Sequence, residues 1–167
     1  FTAAYCQNPI CVPSRVSLVS GKMPCHLKTF GNTANQTYEG MTTLADAFNQ
    51  AGYRTGWFGK THWGDPRFQE TGAGSKNKKG AKGEDEESLS RLPQDSRVSS
   101  WPVEKNTEHL IADEAIAFLD QHRDQKFFVG VSFPKPHFPF TIQEKYYAMY
   151  AGKVSPPRDA KQLIAAL

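Results

Sequence analysis

Three short segments of the chain carry residues that could act together on a negatively charged group. The first, Cys11–Arg15, combines a cysteine, a proline and an arginine. The second contains Lys60 and His62, and the third contains Lys135 and His137. Lysine and arginine supply positive charge, histidine exchanges a proton near neutral pH, and cysteine or a group made from it can attack an electrophile. These residue types are typical of a site that surrounds a nucleophile with positive charge.

Each of these residues also allows a purely structural interpretation. Cys11 could be a small buried side chain or half of a disulfide, and Lys60 and His62 could lie in a solvated loop. His137 could be a packed histidine in a proline-rich loop, and Lys135 is equally consistent with a surface position. The sequence alone leaves these alternatives open.

The cysteine count limits the disulfides that the chain can form. Cys6, Cys11 and Cys25 are odd in number, so at most one bridge can form among them and at least one sulfur is left over. The odd number does not show which cysteine is unpaired, and a disulfide between Cys6 and Cys11 is one possibility. A zinc or redox module built on these two residues is a further alternative, although the chain has no CxxC pair.

The nucleophile candidate lies where a helix should begin. Pro13 in the first turn and Gly21 just beyond the end predict a helix over Val12–Ser20, which puts Cys11 at its N-terminus. A helix N-terminus offers free N–H groups and partial positive charge to an anion. Arg15, one turn inside, could reach back towards the same group.

The remaining elements alternate between helix and strand, which indicates an α/β layer architecture. The predicted elements are a helix capped by Thr42 or Thr43 and ending at Gly52, a strand over Tyr53–Phe58, a helix over Val103–His122, a buried strand over Phe127–Phe133 and a short helix around Glu144–Tyr150. In such folds polar residues gather on loops that leave strand ends, and the loops with Lys60 and His137 both follow strands. His109 and His122, on the long helix, are expected at the surface.

Composition excludes some functions and predicts one unusual segment. Asp65–Ser100 is rich in Gly, Lys, Glu, Ser and Pro without apolar periodicity, which predicts a long surface excursion. Its lysines are followed at once by acidic residues, and the net charge is only +3, so nucleic-acid binding is not expected. No apolar run approaches the ~20 residues of a membrane span. The chain lacks an initiator Met and a helix stop at its end, so we expect it to be part of a longer protein.

The segment around Cys11 resembles the Cys-x-Pro-Ser-Arg signature of the type I, formylglycine-dependent sulfatases. Five further segments are also similar to the family: Ala4–Pro9, Ser17–Lys22, Gly52–Thr55, Gly59–Gly64 and Pro134–Phe140. The last of these segments is most similar to the iduronate-2-sulfatase and choline-sulfatase side of the family. The resemblance implies that residues 1–167 are the N-terminal portion of a single catalytic domain. Its fold would be an alkaline-phosphatase-like α/β/α sandwich with a mixed, mostly parallel sheet, incomplete in this chain.

The resemblance implies that the protein is a sulfuric ester hydrolase with a modified cysteine. The modification motif comprises Cys11, Pro13, Ser14 and Arg15, and a formylglycine-generating enzyme would oxidise the cysteine. One hydroxyl of the hydrated aldehyde would attack sulfur to give a covalent sulfo-enzyme, and the other, deprotonated with help from His62, would expel sulfate. Arg15 would orient the diol, Lys60 would bind sulfate oxygens, and His137 would contact the sulfate or protonate the leaving alcohol. Lys135 is a further candidate for substrate binding.

The resemblance also implies a metal ion, Ca²⁺ with Mg²⁺ as an alternative. Formylglycine at position 11 would be one ligand, and carboxylates well before the cysteine motif and far downstream of it would be the others. Neither region lies in this chain. Asp46, in a capped helix, and Asp65, in a loop, are poor substitutes, so the isolated 167 residues are expected to be inactive.

The implied substrate is a sulfated small molecule or glycan, and the implied location is the periplasm, the cell exterior or the lysosome. The main alternative is a phosphonate or phosphodiester hydrolase of the same superfamily. A non-catalytic homologue that binds sulfated glycans is the other alternative.

Overall fold

The computed structural model describes residues 3–32, 38–63, 67–72, 97–99, 102–137 and 140–154, and it confirms the predicted alternation of helices and strands. Its elements in chain order are α1 (Cys11–Ser20), α2 (Leu44–Gln50), β1 (Arg54–Gly59), β2 (Glu70–Thr71), β3 (Arg97–Ser99), a 3₁₀ turn (Val103–Lys105), α3 (Thr107–His122), β4 (Phe127–Ser132), β5 (Thr141–Gln143) and α4 (Glu144–Tyr150). Most of the predicted surface excursion over 65–100 lies outside the described residues. No helix in the described ranges is long and apolar enough to cross a membrane.

A parallel sheet in the order β2-β1-β4 positions the loops of interest. β1 and β4 pair along their whole length, from Arg54 opposite Phe127 to Gly59 opposite Ser132. Because parallel strands end at the same edge, the loop after β1 and the loop after β4 start side by side. β3 and β5 form a separate pair, and every strand pair in the described part of the chain is parallel.

Helices cover both faces of β1. Trp57 packs in a core with Val16 and other apolar residues of α1, whereas the next residue, Phe58, packs against Phe118 of α3. Successive residues of a strand point to opposite faces, so β1 separates two apolar cores. Gly130 of β4 lies opposite Trp57, and a Cβ there would lie 2.0 Å from the indole ring, so only glycine fits. This arrangement has the three layers of the predicted α/β fold.

The cap of α2 confirms one of the two predicted candidates. The Thr43 hydroxyl accepts the N–H of Asp46 at 3.2 Å, and the Asp46 carboxylate accepts the N–H of Thr43 at 2.7 Å. This reciprocal pair satisfies two N–H groups at the start of the helix. Asp46 is therefore committed to the helix end and to an ion pair with Arg67.

Two burial predictions were wrong. β4 was expected to be buried, but its residues are partly exposed and Val131 is 42% exposed, because β4 is an edge strand of the described sheet. His122 was expected at the surface, but only 5% of it is exposed. Its ring packs edge-on against Phe118, and its Nε2 lies 2.8 Å from a carboxylate oxygen of Glu70. The spacing from Phe118 to His122 was the available signal, because it places both residues on the inner face of α3.

Candidate active site

The cysteine predicted to carry the nucleophile begins helix α1. Ile10 precedes Cys11 in an extended conformation and contributes no side-chain cap. Instead, Asn32 accepts the N–H of Val12 through its side-chain Oδ1 at 3.0 Å. Asn32 is not among the predicted site residues, because a contact across twenty residues leaves no local pattern. The cap holds the first turn of α1 in place beside the Cys11 side chain.

The three cysteines are free thiols in the structure. Cys6 and Cys25 are exposed, whereas Cys11 is half-buried at the start of α1. The expected alternative of a bridge between Cys6 and Cys11 is therefore not what the structure shows. Cys11 is in consequence free for other chemistry.

The Arg15 guanidinium links α1 to the carboxyl ends of β1 and β4. Its Nη1 donates to the backbone oxygen of Lys60 at 2.6 Å and to Oγ of Ser132 at 2.9 Å. Burial lowers the pKa of Arg15, and the nearby Cys11 sulfur, when it is a thiolate, raises that pKa. The guanidinium therefore lies within electrostatic reach of Cys11. None of the ion pairs within the described residues involves Arg15.

The turn after β1 brings the two strand ends into direct contact. The Lys60 N–H donates to the backbone oxygen of Ser132 at 2.8 Å. Gly59, just before it, has a φ of +94°, and a Cβ there would lie 2.2 Å from that same oxygen. Glycine at this position therefore permits both the left-handed backbone and the close approach of β4.

The charges of other predicted site residues affect the pKa of His62. Burial lowers the pKa of His62, and the positive charges of Lys60, Arg15 and His137 lower it further. These charges come from α1 and from the loops after β1 and β4, so the fold brings the three sequence segments together at one place. His62 also has a left-handed backbone with φ of 54°, which is uncommon for a residue other than glycine.

The imidazole of His62 has an unused hydrogen-bonding atom. Its Nδ1 is buried and has no hydrogen-bond partner within the described residues. A buried polar atom without a partner costs free energy, and a catalytic role is one of the explanations for such an atom in a native protein. Since its lowered pKa keeps the ring neutral near neutral pH, His62 is suited to accept a proton there.

The loop after β4 contributes His137 to this cluster, but the structure does not assign Lys135 to it. The His137 N–H donates to the backbone oxygen of Pro134 at 3.1 Å, which closes a turn directly after the strand. The charge of His137 acts on His62, whereas that of Lys135 is not among the charges that lower the pKa of His62.

The described residues near Cys11 do not fit a metal ion by themselves. Among the residues that the structure describes, no three His, Cys, Asp or Glu side chains are grouped so that they could hold a metal. The Asp46 carboxylate is occupied by Thr43 and Arg67, whose Nε lies 2.8 Å away. Asp65 lies outside the described residues.

The chain matches known proteins in both sequence and fold. The Sulfatase family model matches residues 1–166. Iduronate 2-sulfatase of Mus musculus is 25% identical over 169 residues, which cover 90% of this chain and 31% of that protein. The structure of the phosphonate monoester hydrolase of Agrobacterium radiobacter superposes with a TM-score of 0.68 at 18% identity, over 91% of this chain and 36% of that one. Ps i-CgsB in complex with k-i-k-neocarrahexaose superposes with a TM-score of 0.64 at 18% identity, over 94% and 41% of the two chains.

These matches define the fold and its extent. The structural neighbours confirm the predicted alkaline-phosphatase-like α/β fold with a mostly parallel sheet, which is incomplete in this chain. The chain spans about a third of the length of the curated relatives that it matches.

Proposed function

Because the chain belongs to the sulfatase family, we propose that the protein containing it hydrolyses sulfate esters with a nucleophile made by oxidising Cys11 to formylglycine. The observation that carries this proposal is the environment of Arg15. Its guanidinium is partly buried, lies within electrostatic reach of Cys11, and is held by two neutral oxygens. A cation without a carboxylate partner in the described residues keeps its charge available for a bound anion.

Concentrated positive charge suits this reaction because the oxygens of a sulfate ester repel an incoming nucleophile. Arg15 and Lys60 supply full charges, and the N-terminus of α1 adds a partial one at Cys11. Charge placed before the reaction starts stabilises the transition state without further reorganisation. We therefore assign Lys60 to the binding of sulfate oxygens, and Arg15 both to orienting the diol and to contacting those oxygens around the nucleophile.

Formylglycine would supply a hydrated aldehyde, with one hydroxyl to attack sulfur and a second whose loss of a proton releases sulfate. His62 would accept the latter proton, since its lowered pKa leaves the ring neutral and ready to act as a base. His137, whose charge lowers the pKa of His62, would contact the sulfate or give a proton to the departing alcohol. Lys135 stays a candidate for substrate binding.

Several parts of the proposal rest on the family relationship. A Ca²⁺ ion, or Mg²⁺ in its place, would need ligands beyond the described residues, and residues 1–167 alone are still expected to be inactive. The substrate would be a sulfated small molecule or glycan, and maturation would require a formylglycine-generating enzyme. A periplasmic, secreted or lysosomal location remains a prediction.

A phosphonate or phosphodiester hydrolase is the second candidate. One observation favours it, since a solved structure with the same fold is named as a phosphonate monoester hydrolase. A site that binds sulfate oxygens through arginine and lysine would also attract a phosphonate group. The two candidates therefore differ in preferred substrate and share the predicted nucleophile.

The test compares two esters with the same leaving group on the full-length protein, produced together with a formylglycine-generating enzyme. We expect kcat/KM for nitrophenyl sulfate to exceed that for the nitrophenyl ester of phenylphosphonate. Cys11→Ala should abolish both activities, whereas Cys6→Ala, at an exposed cysteine, should preserve them. A preference for the phosphonate would favour the second candidate. Sulfated-glycan binding without hydrolysis would instead favour the non-catalytic homologue.

A further inference from the structure

Building on the proposed sulfate ester hydrolysis, we propose that Ser132 is a positioning residue for the anion site. Its hydroxyl holds one arm of the Arg15 guanidinium, so that the other N–H groups of Arg15 remain available to the sulfate group. Neither the cysteine motif nor the predicted site residues include Ser132, which is the last residue of β4.

Counting the donors of Arg15 supports this role. A guanidinium has five N–H donors, two of them on Nη1. Nη1 donates to the backbone oxygen of Lys60 at 2.6 Å and to Ser132 Oγ at 2.9 Å, which accounts for both. The three donors on Nη2 and Nε have no hydrogen-bond partner within the described residues. Donors on these two nitrogens form the planar fork that binds two oxygens of an anion.

The chemistry of the two acceptors also matters. A carboxylate at either position would neutralise Arg15 and compete with a bound anion. A serine hydroxyl and a backbone carbonyl instead orient the guanidinium, and no carboxylate of the described residues pairs with its charge. Both acceptors lie at strand ends that are locked together, because the Lys60 N–H donates to the Ser132 backbone oxygen. A group held by a rigid strand end positions its partner more tightly than one on a loop.

The first experiment removes and then restores the Ser132 hydroxyl in the full-length, matured protein. We expect Ser132→Ala to weaken binding of inorganic sulfate about tenfold and to lower kcat/KM for a sulfate ester by a similar factor, as for a lost hydrogen bond to a charged group. Ser132→Thr keeps the hydroxyl and should stay close to wild type. Ser20→Ala is the matched control, because it removes a 2.7 Å bond to Val16 on the same helix as Arg15 without touching the site. Sulfate affinity would be measured by titration calorimetry.

The second experiment separates positioning from a general structural effect. If Ser132 acts through Arg15, then Ser132→Ala should cause no further loss of sulfate affinity in an Arg15→Met background. An equal loss in both backgrounds would overturn the proposal, as would wild-type sulfate affinity in Ser132→Ala alone. Sulfate binding with the expected dependence on Ser132, but without ester hydrolysis, would leave the positioning role intact and refute the proposed function. A wild-type protein that binds no sulfate would refute both.

Discussion

The contact between the ends of β1 and β4 predicts a large effect of one methyl group at Gly59. An alanine Cβ there would lie 2.2 Å from the backbone oxygen of Ser132 and 3.0 Å from Cδ1 of Ile111. A residue with a side chain rarely adopts a φ of +94°, and a distance of 2.2 Å between the Cβ and the Ser132 oxygen is a steric clash. Relief requires the strand ends to separate, which breaks the 2.8 Å bond from the Lys60 N–H to the Ser132 oxygen.

The magnitude follows from two contributions to the free energy of unfolding. An alanine at positive φ costs about 1 kcal/mol or more, and losing a partly buried backbone hydrogen bond costs about 1 to 3 kcal/mol. We therefore expect Gly59→Ala to destabilise the protein by about 3 kcal/mol. Gly52 has a φ of +76° with nothing within 4 Å of an added Cβ, so Gly52→Ala bears only the first cost.

Urea unfolding of the two full-length variants measures this difference. Gly59→Ala should be about 2 kcal/mol less stable than Gly52→Ala, and only Gly59→Ala should also weaken sulfate binding, since it displaces the Lys60 carbonyl from Arg15. Equal stabilities and equal sulfate affinities in the two variants would refute the close strand contact on which the site geometry depends.

Three further predictions concern charge, capping and burial. Lys60→Met should raise the pKa of His62, seen by NMR titration of the ring, because one of the positive charges that lower it is removed. The pKa of His62 in the folded protein lies below its ordinary value of 6.5, so the unfolded chain takes up this proton first as the pH drops. His62 therefore makes the free energy of unfolding fall as the pH drops from about 6.5 through the folded pKa. Lys60→Met should weaken that pH dependence, as measured by urea unfolding at several pH values. Asn32→Ala should cost about 1 kcal/mol in the same assay because the start of α1 loses its cap, and Asn32→Asp should restore most of it. His122→Ala should cost about 2 to 4 kcal/mol by lost packing and hydrogen bonding, whereas His109→Ala, at a half-exposed site, should change stability by less than about 0.5 kcal/mol.

Features with local causes could be predicted from the sequence. Pro13 and Gly21 mark the two ends of α1, and the structure places Cys11 at its first residue. The strand bounds were close for the same reason, since apolar runs between turn residues identify strands. That the loops carrying Lys60 and His137 start at the same edge of the sheet followed from a general property of parallel sheets, whose strands end on one side.

Features that depend on distant contacts could not be predicted. Ser132 meets Arg15 across 117 positions of the chain, and Asn32 reaches Val12 across 20. Both are common polar residues in ordinary contexts, so nothing in the local spacing distinguishes them. The burial of His122 is different, because its helical spacing from Phe118 was visible in the sequence. A histidine on a helix is expected at the surface, whereas the His122 ring is buried with its Nε2 beside the Glu70 carboxylate.

In the proposed function, Cys11 provides the nucleophile after oxidation. Fragmentation mass spectrometry of the tryptic peptide ending at Arg15, from full-length protein made with a formylglycine-generating enzyme, tests it most directly. We expect the mass lost when a thiol becomes an aldehyde, located at Cys11 alone, with Cys6 in the same peptide unchanged as an internal control. An intact thiol or a disulfide at Cys11 under these conditions would contradict it.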